Sequence, residues 1–175
     1  MEIKTADPSH NIEITELYIR SQAATQLPNP AAISPSKLGE LLYSRDAIER
    51  YVAIEAGEIV GHAAIENPNN MHEPLWRQRL VNKDQSLIEI GGIFVEPRLY
   101  GNFIGRALLQ HSLIAVRKLA AVPVAATWSS NIHFMKVMKL YGGIDAGSQS
   151  TPLGDVKLFV FETKKLQETG GSVLS

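Results

Sequence analysis

The stretch that most limits what this chain can become is residues 86–109, SLIEIGGIFVEPRLYGNFIGRALL. An apolar run carries a glycine pair, Gly91-Gly92, and passes Pro97. It then meets Gly101 and Gly105, which flank Asn102, Phe103 and Ile104 at the start of an amphipathic segment. A strand that feeds a helix through a tight turn belongs to an α/β sheet. Glycine inside a strand weakens its packing and marks a bulge or a close backbone approach. A helix N-terminus offers unpaired N–H groups and a partial positive charge, so the turn suits an anion, with Arg106 in the first turn to add a cation. The spacing is neither a Walker loop nor the dinucleotide Gly-x-Gly-x-x-Gly. From the turn alone, phosphate binding and an ordinary strand-to-helix connection both stand. Together, the broken strand and the turn suit an elongated ligand, with a pyrophosphate at residues 100–106 and an amide-bearing arm lying along the strand.

The rest of the chain alternates strands and helices without an internal repeat. Residues 1–6 read as a short strand, and Asp7 caps a helix with Pro8 in its first turn and Ile14, Leu17, Tyr18 and Ser21 on one face. Two prolines in ATQLPNPAAI end it, and Ser34-Pro35 starts a second helix with Leu38, Leu41 and Leu42 inward. YVAIEAGEIVGHAAIE reads as a hairpin joined at Gly57-Glu58. Residues 67–85 form a long polar connection with one short helical segment around Trp76, and such connections are often lids or binding loops. A helix over 102–119, a strand over 122–128, a helix from Ser130 to Tyr141 and a strand from Asp155 to Thr163, partnered near Ile144 to Ser150, complete the pattern. The order β-α-α-β-β-β-α-β-α-β-β predicts one α/β domain over residues 1–163, its sheet mixing antiparallel hairpins with parallel crossovers, followed by a polar tail at 164–175.

Composition removes several function classes. The chain has 175 residues and no cysteine, which excludes thiol nucleophiles, disulfides and thiolate metal sites. Its five histidines lack acidic partners at metal spacing, so no metal is expected. His62 lies among small residues in the hairpin, and His111 is read as a boundary residue of its helix. A formal net charge of −1 with dispersed Lys and Arg gives no nucleic-acid footprint. No apolar run approaches a membrane span. The start, MEIKTADPSH, lacks a basic and an apolar leader region, so a cytoplasmic location is expected.

The segment VEPRLYGNFIGRALL resembles the phosphate-loop motif of the GNAT superfamily of acetyl-CoA-dependent N-acetyltransferases, through Val95, Pro97, Gly101, Ile104, Gly105, Ala107, Leu108 and Leu109. ATWSSNIHFMKVMKLYGG resembles the family's next strand and helix, with Asn131 opening and Gly142 ending the helix. The resemblance covers about residues 1–163 and implies a sheet split between the fourth and fifth strands. It implies acetyl-CoA as co-substrate, bound by Ile93, Phe94, Val95, Tyr100, Gly101, Asn102, Phe103, Ile104, Gly105, Arg106, Asn131 and Phe134. Tyr100 stands where the family carries Arg or Gln, Phe103 where it carries Gly, and Met138 where it carries the tyrosine that protonates the departing thiolate.

The implied chemistry is direct attack of a primary amine on the thioester. An amine is mostly protonated at neutral pH, so a base must take its proton. Glu89, an acidic residue inside the apolar strand, is the candidate; a strand-edge glutamate facing solvent is the bland reading. Backbone N–H groups at Phe94 and Val95 are the expected donors to the oxyanion. Tyr141 is the candidate acid for the thiolate, against a packing role beside Phe134, Val137 and Met138. The acceptor, a small-molecule or peptide amine, would lie across the split under residues 24–36 and 67–85, where Trp76, Arg77 and Arg79 either cover it or are solvated. The alternatives are a non-catalytic acyl-CoA-binding or regulatory domain and a phosphate-binding α/β domain unrelated to CoA. The sequence leaves a homodimer open.

Overall fold

The computed structural model describes residues 1–25 and 47–161. The helix expected from Ser34 and the tail at 164–175 lie outside the described residues. Among these, the chain runs β1 (Glu2–Thr5), α1 (Asn11–Ala24), β2 (Ala47–Glu55), β3 (Glu58–Glu66), α2 (Glu73–Arg79), β4 (Leu87–Val95), α3 (Ile104–Lys118), β5 (Val122–Trp128), α4 (Ile132–Leu140), β6 (Gly143–Thr151) and β7 (Gly154–Phe161). The short helical segment around Trp76 is thus a helix in its own right. The expected hairpin turn moves by one residue. Ala56 and Gly57 hold positive φ of 52° and 85°, and Glu58 already opens β3 opposite Glu55. Two central residues at positive φ match the right-handed twist of the flanking strands.

The seven strands form one sheet in the order β1-β2-β3-β4-β5-β7-β6. Every pairing is antiparallel except β4 with β5. Alternation divides the side chains between two faces. On the back face Ile88, Ile90, Ala125, Phe159 and Phe161 pack against Leu108, Leu109, Leu113 and Val116 of α3 and Val137 and Met138 of α4. The front face carries two smaller clusters. Ile14 and Leu17 of α1 lie on Val52, Ile59 and Phe94, while Trp76 of α2 lies on Leu87, Val124, Leu158 and Val160. Trp76 is 0% exposed, so α2 is anchored as core. Burying a side chain of that size is worth several kcal/mol, enough to hold a seven-residue helix that could not persist alone.

Two local devices position the site. The first is a bulge in β4. The register runs Ile90 opposite Ile65 and Gly91 opposite Ala64, then resumes with Phe94 opposite His62, so Gly92 and Ile93 together oppose one residue of β3. Gly92 takes φ of 58°, open to glycine at no cost. The extra residue changes the phase of the strand. Ile88 and Ile90 face back before it; Ile93 and Val95 pack toward the back cluster after it, while Phe94 enters the front cluster under α1. The second device is a splay. Pairing between β4 and β5 extends only from Leu87↔Val122 to Ile90↔Ala125. Beyond that, β5 stays with β7 through Trp128, and β4 stays with β3 through Val95.

Candidate active site

The splay leaves partly exposed backbone in the middle of a sheet. Leu87 to Ile90 are all buried, but Gly91, Gly92, Ile93 and Val95 are not; on β5, burial gives way in the same manner after Ala125. The direction of the free backbone groups follows from one bond. Glu96 donates its N–H to the Val60 carbonyl at 2.9 Å. Alternation sends the Phe94 N–H the same way, toward β3, and turns the N–H groups of Ile93 and Val95 to the opposite, open edge. Of the two expected oxyanion donors, Val95 therefore faces the cleft and Phe94 does not. The Ile93 N–H faces the same open edge, an orientation that depends on the bulge and could not be read from spacing.

The open edge leads into the turn before α3. A single turn of 3-10 helix, Pro97–Leu99, precedes Gly101, which has φ of 94° and open space where a Cβ would stand. Phe103, at the N-cap of α3, has φ of 61° and ψ of 2°, in the left-handed region that glycine fills more readily. The backbone keeps a glycine's shape with a phenylalanine in place. The first helical bond is Ala107 N–H to Phe103 C=O at 2.9 Å, which leaves the N–H groups of Phe103, Ile104, Gly105 and Arg106 outside the ladder. The Arg106 guanidinium lies 4.9 Å from the centre of the Phe103 ring, beside the turn. Arg98, the other cation near the loop, is paired with Glu58 of the hairpin.

Tyr100 makes its contact with α1. Its hydroxyl lies 3.2 Å from Oγ of Ser21, a buried residue of α1, and so ties the turn to that helix. Arg20 next to Ser21 reaches Glu96 at 3.0 Å, a second tie between α1 and the end of β4. Asn131 caps α4, accepting the Phe134 N–H at 3.2 Å. Phe134 and Tyr141 pack on the back cluster, and Tyr141 is the C-cap of its helix. Met138 is 1% exposed and points into that cluster.

Glu89 is 5% exposed. It alternates with Ile88 and Ile90, which places it on the front face, one residue before pairing with β5 ends. Its Oε2 accepts the Asn69 N–H at 2.9 Å, which fixes the start of the 67–85 connection over the carboxylate. Glu66 of β3 stands directly opposite in the register and is also buried, and a Cβ on Gly91 would come within 3.9 Å of its carboxylate. Glu66 was not among the residues expected from sequence. Only the register places these two acidic residues opposite each other. Arg77 is committed elsewhere, bonded to Glu73 at 2.7 Å and to the carbonyls of Lys83 and Gln85. The structure thus gathers Glu89, Ile93 and Val95 along one strand and places Tyr141 in the back-face cluster, across the sheet from Glu89. Among the described residues no group of three or more His, Asp or Glu is placed to hold a metal ion, and no helix is long and apolar enough to cross a membrane.

The comparisons with known proteins agree with this geometry. The family model of the acetyltransferase (GNAT) family matches residues 11–142. The chain belongs to that family. No curated protein matches it. Similar solved structures include an N-acetyltransferase from Staphylococcus aureus Mu50, at 16% identity and a TM-score of 0.67 over 92% of this chain and 97% of that one. A ribosomal-protein-alanine N-acetyltransferase from Brucella melitensis has 15% identity and a TM-score of 0.68 over 91% and 98%. A protein assigned as an acetyltransferase, yncA from Salmonella typhimurium, was solved with its cofactor acetyl-CoA; it has 19% identity and a TM-score of 0.67 over 93% of each chain. Acetyl-CoA is the acyl donor of the family, and the residues present here fit it: an open strand edge for the pantetheine amides and a helix N-terminus with free N–H groups for the pyrophosphate.

Proposed function

We propose that this protein moves the acetyl group of acetyl-CoA to a primary amine, by direct attack and without an acyl-enzyme. The observation that carries the reading is the loss of burial and of pairing on both strands beyond Ile90 and Ala125, which opens a slot of backbone donors leading to the N-terminus of α3. The pantetheine arm lies along β4 at Ile93 and Val95. Residues 101–106 hold the pyrophosphate through backbone N–H groups, with Arg106 beside them. Asn131 and Phe134 line the α4 side.

Glu89 takes the ammonium proton, directly or through water. Its burial beside the slot places a carboxylate at the front face, where the amine must approach, while Asn69 N–H keeps it oriented. The N–H groups of Ile93 and Val95 face the edge along which the thioester carbonyl lies, and a donor aimed at a developing oxyanion is typically worth about 10²- to 10³-fold in rate. Tyr141 is the nearest tyrosine to the family's acid position, and it or solvent returns a proton to the thiolate. The acceptor is a small-molecule or peptide amine. A second reading, a domain that binds acyl-CoA without turning it over, rests on Met138, buried at the position where the family places its acid.

Calorimetric titration with acetyl-CoA, CoA and 3′-dephospho-CoA, followed by thiol release with a panel of amines, separates these readings. Micromolar binding with amine-dependent thiol release is expected, and Glu89→Gln should lower turnover by about 10²- to 10⁴-fold with binding retained. Binding without release for any amine favours the second reading. No binding at millimolar acetyl-CoA would sink both.

A further inference from the structure

His62 of β3 holds the β4 bulge from the side. Its Nδ1 lies 2.8 Å from the Gly92 carbonyl oxygen. A carbonyl only accepts, so Nδ1 carries the proton and Nε2 is the bare nitrogen, without a hydrogen-bond partner among the described residues. The imidazole is 4% exposed and stacks on Phe94, with ring centres 4.7 Å apart and planes 21° apart. A Cβ on Gly92 would stand 3.3 Å from the imidazole Cε1, so the ring has closed on a position that only glycine leaves clear.

The bond matters because of where the Gly92 carbonyl sits. The ladder between β3 and β4 skips Gly92 and Ile93, so this carbonyl faces β3 without a regular strand partner there. The imidazole N–H takes the place of the missing rung. Within a trans peptide the C=O and the following N–H point in opposite directions, and no peptide bond among the described residues is cis. A Gly92 carbonyl drawn toward His62 therefore turns the Ile93 N–H away from β3 and onto the open edge. The alternation counted back from the Glu96–Val60 bond gives the same direction independently.

We propose that His62 is a positioning residue for the acetyl thioester: by holding the Gly92 carbonyl, it fixes the Gly92–Ile93 peptide so that the Ile93 N–H is aimed at the thioester oxygen. This rests on the acetyl-transfer reading above. The imidazole touches neither donor nor acceptor. It acts through one peptide plane, which a rigid oxyanion donor requires and a bulge alone does not supply.

The test needs acetyl-CoA only, with no acceptor, and compares wild type with His62→Phe, which keeps the stack on Phe94 and loses the donor. His62→Asn restores an N–H near the Nδ1 position. Isotope-edited infrared spectra of acetyl-CoA labelled at the carbonyl carbon should show the stretch lowered on binding to wild type. Most of that shift should be lost in His62→Phe and regained in His62→Asn, with calorimetric affinity within about threefold throughout. Turnover with a working amine should follow the spectrum, falling about 10²-fold in His62→Phe with little change in the acetyl-CoA KM. An unchanged carbonyl stretch in His62→Phe overturns the inference and leaves the acetyl-transfer reading intact. Absence of acetyl-CoA binding to wild type overturns both. Should His62→Phe fail to fold, backbone amide spectra of wild type decide. On acetyl-CoA binding the Ile93 proton should move downfield well beyond that of Phe94, and an unmoved Ile93 overturns the inference.

Discussion

Phe103 shows how a residue type and a backbone shape can disagree and still coexist. A non-glycine residue in the left-handed region costs about 1–2 kcal/mol, and Phe103 recovers part of it by lending its ring to Arg106 at 4.9 Å. A cation over an exposed ring is worth about 0.5–1 kcal/mol. The two terms can be separated by substitution. Phe103→Ala removes the ring and keeps the strain, so it should lower stability by about 0.5–1 kcal/mol. Phe103→Gly removes both, and should come out about 1 kcal/mol above the alanine variant. Urea unfolding of the three proteins checks the order. A glycine variant no more stable than alanine would mean that the turn is not strained. The sequence shows Phe103 as a departure from the motif, but whether the departure moves the backbone or is absorbed by it depends on φ, which no residue name records.

The hairpin of β2 and β3 makes a similar point for an element. Both strands are legible in the alternation of YVAIEAGEIVGHAAIE, yet the turn falls on Ala56-Gly57 and not on Gly57-Glu58. Glycine marks the turn without saying whether it takes the first or second central place, and the pairing of Glu55 with Glu58 decides it. Ala56, at φ of 52°, is the poorer half of the pair. Ala56→Asn should raise stability by about 0.5–1 kcal/mol, since asparagine enters this region more readily; a lower urea midpoint would contradict the turn assignment. Strand β4 was legible in the same partial way. Gly91-Gly92 announces a bulge, and Glu89 stands out as an acid among apolar neighbours. Glu66 and His62 do not stand out. One becomes interesting only through the register and the other only through a side-chain bond across two strands, and neither register nor bond is a property of local sequence. The 67–85 connection reads as a lid, but Trp76 makes part of it core, because a large apolar ring over a half-covered sheet gains more by burial than by roofing a cleft.

At the scale of the molecule, one buried ring should be visible in the stability of the whole fold. Burial is the main cause that brings the His62 imidazole down to about 4 from its ordinary 6.5; the bond to the Gly92 carbonyl opposes this and the charge of Arg50 adds to it. The unfolded chain binds a proton that the folded one refuses between these values. Stability therefore rises with pH across that window, is complete above about 6.5, and is lost as pH falls toward 4. A shift of this size corresponds to about 3 kcal/mol. Urea midpoints at several pH values should fall across the window in wild type and fall distinctly less in His62→Phe. Parallel curves would show that the ring titrates normally. The α/β class and the order of the strands were readable, because hydrophobic periodicity and the strand–turn–helix pattern carry them. The place of the split came only from the family resemblance, and the helix Glu73–Arg79 was no more than a short helical segment in the expected connection.

The bulge in β4 sets stability against function at a single residue. Loss of one of the paired glycines would restore a regular two-residue phase. The skipped rung would close, His62 would have no stray carbonyl to hold, and Phe94 would keep its place opposite His62 in an unbroken ladder. Such a strand has better backbone pairing and no reason to part from β5. In mutational terms, a one-codon deletion here mends the sheet and seals the slot, so a search for more stable variants would be drawn toward the change that abolishes the cleft.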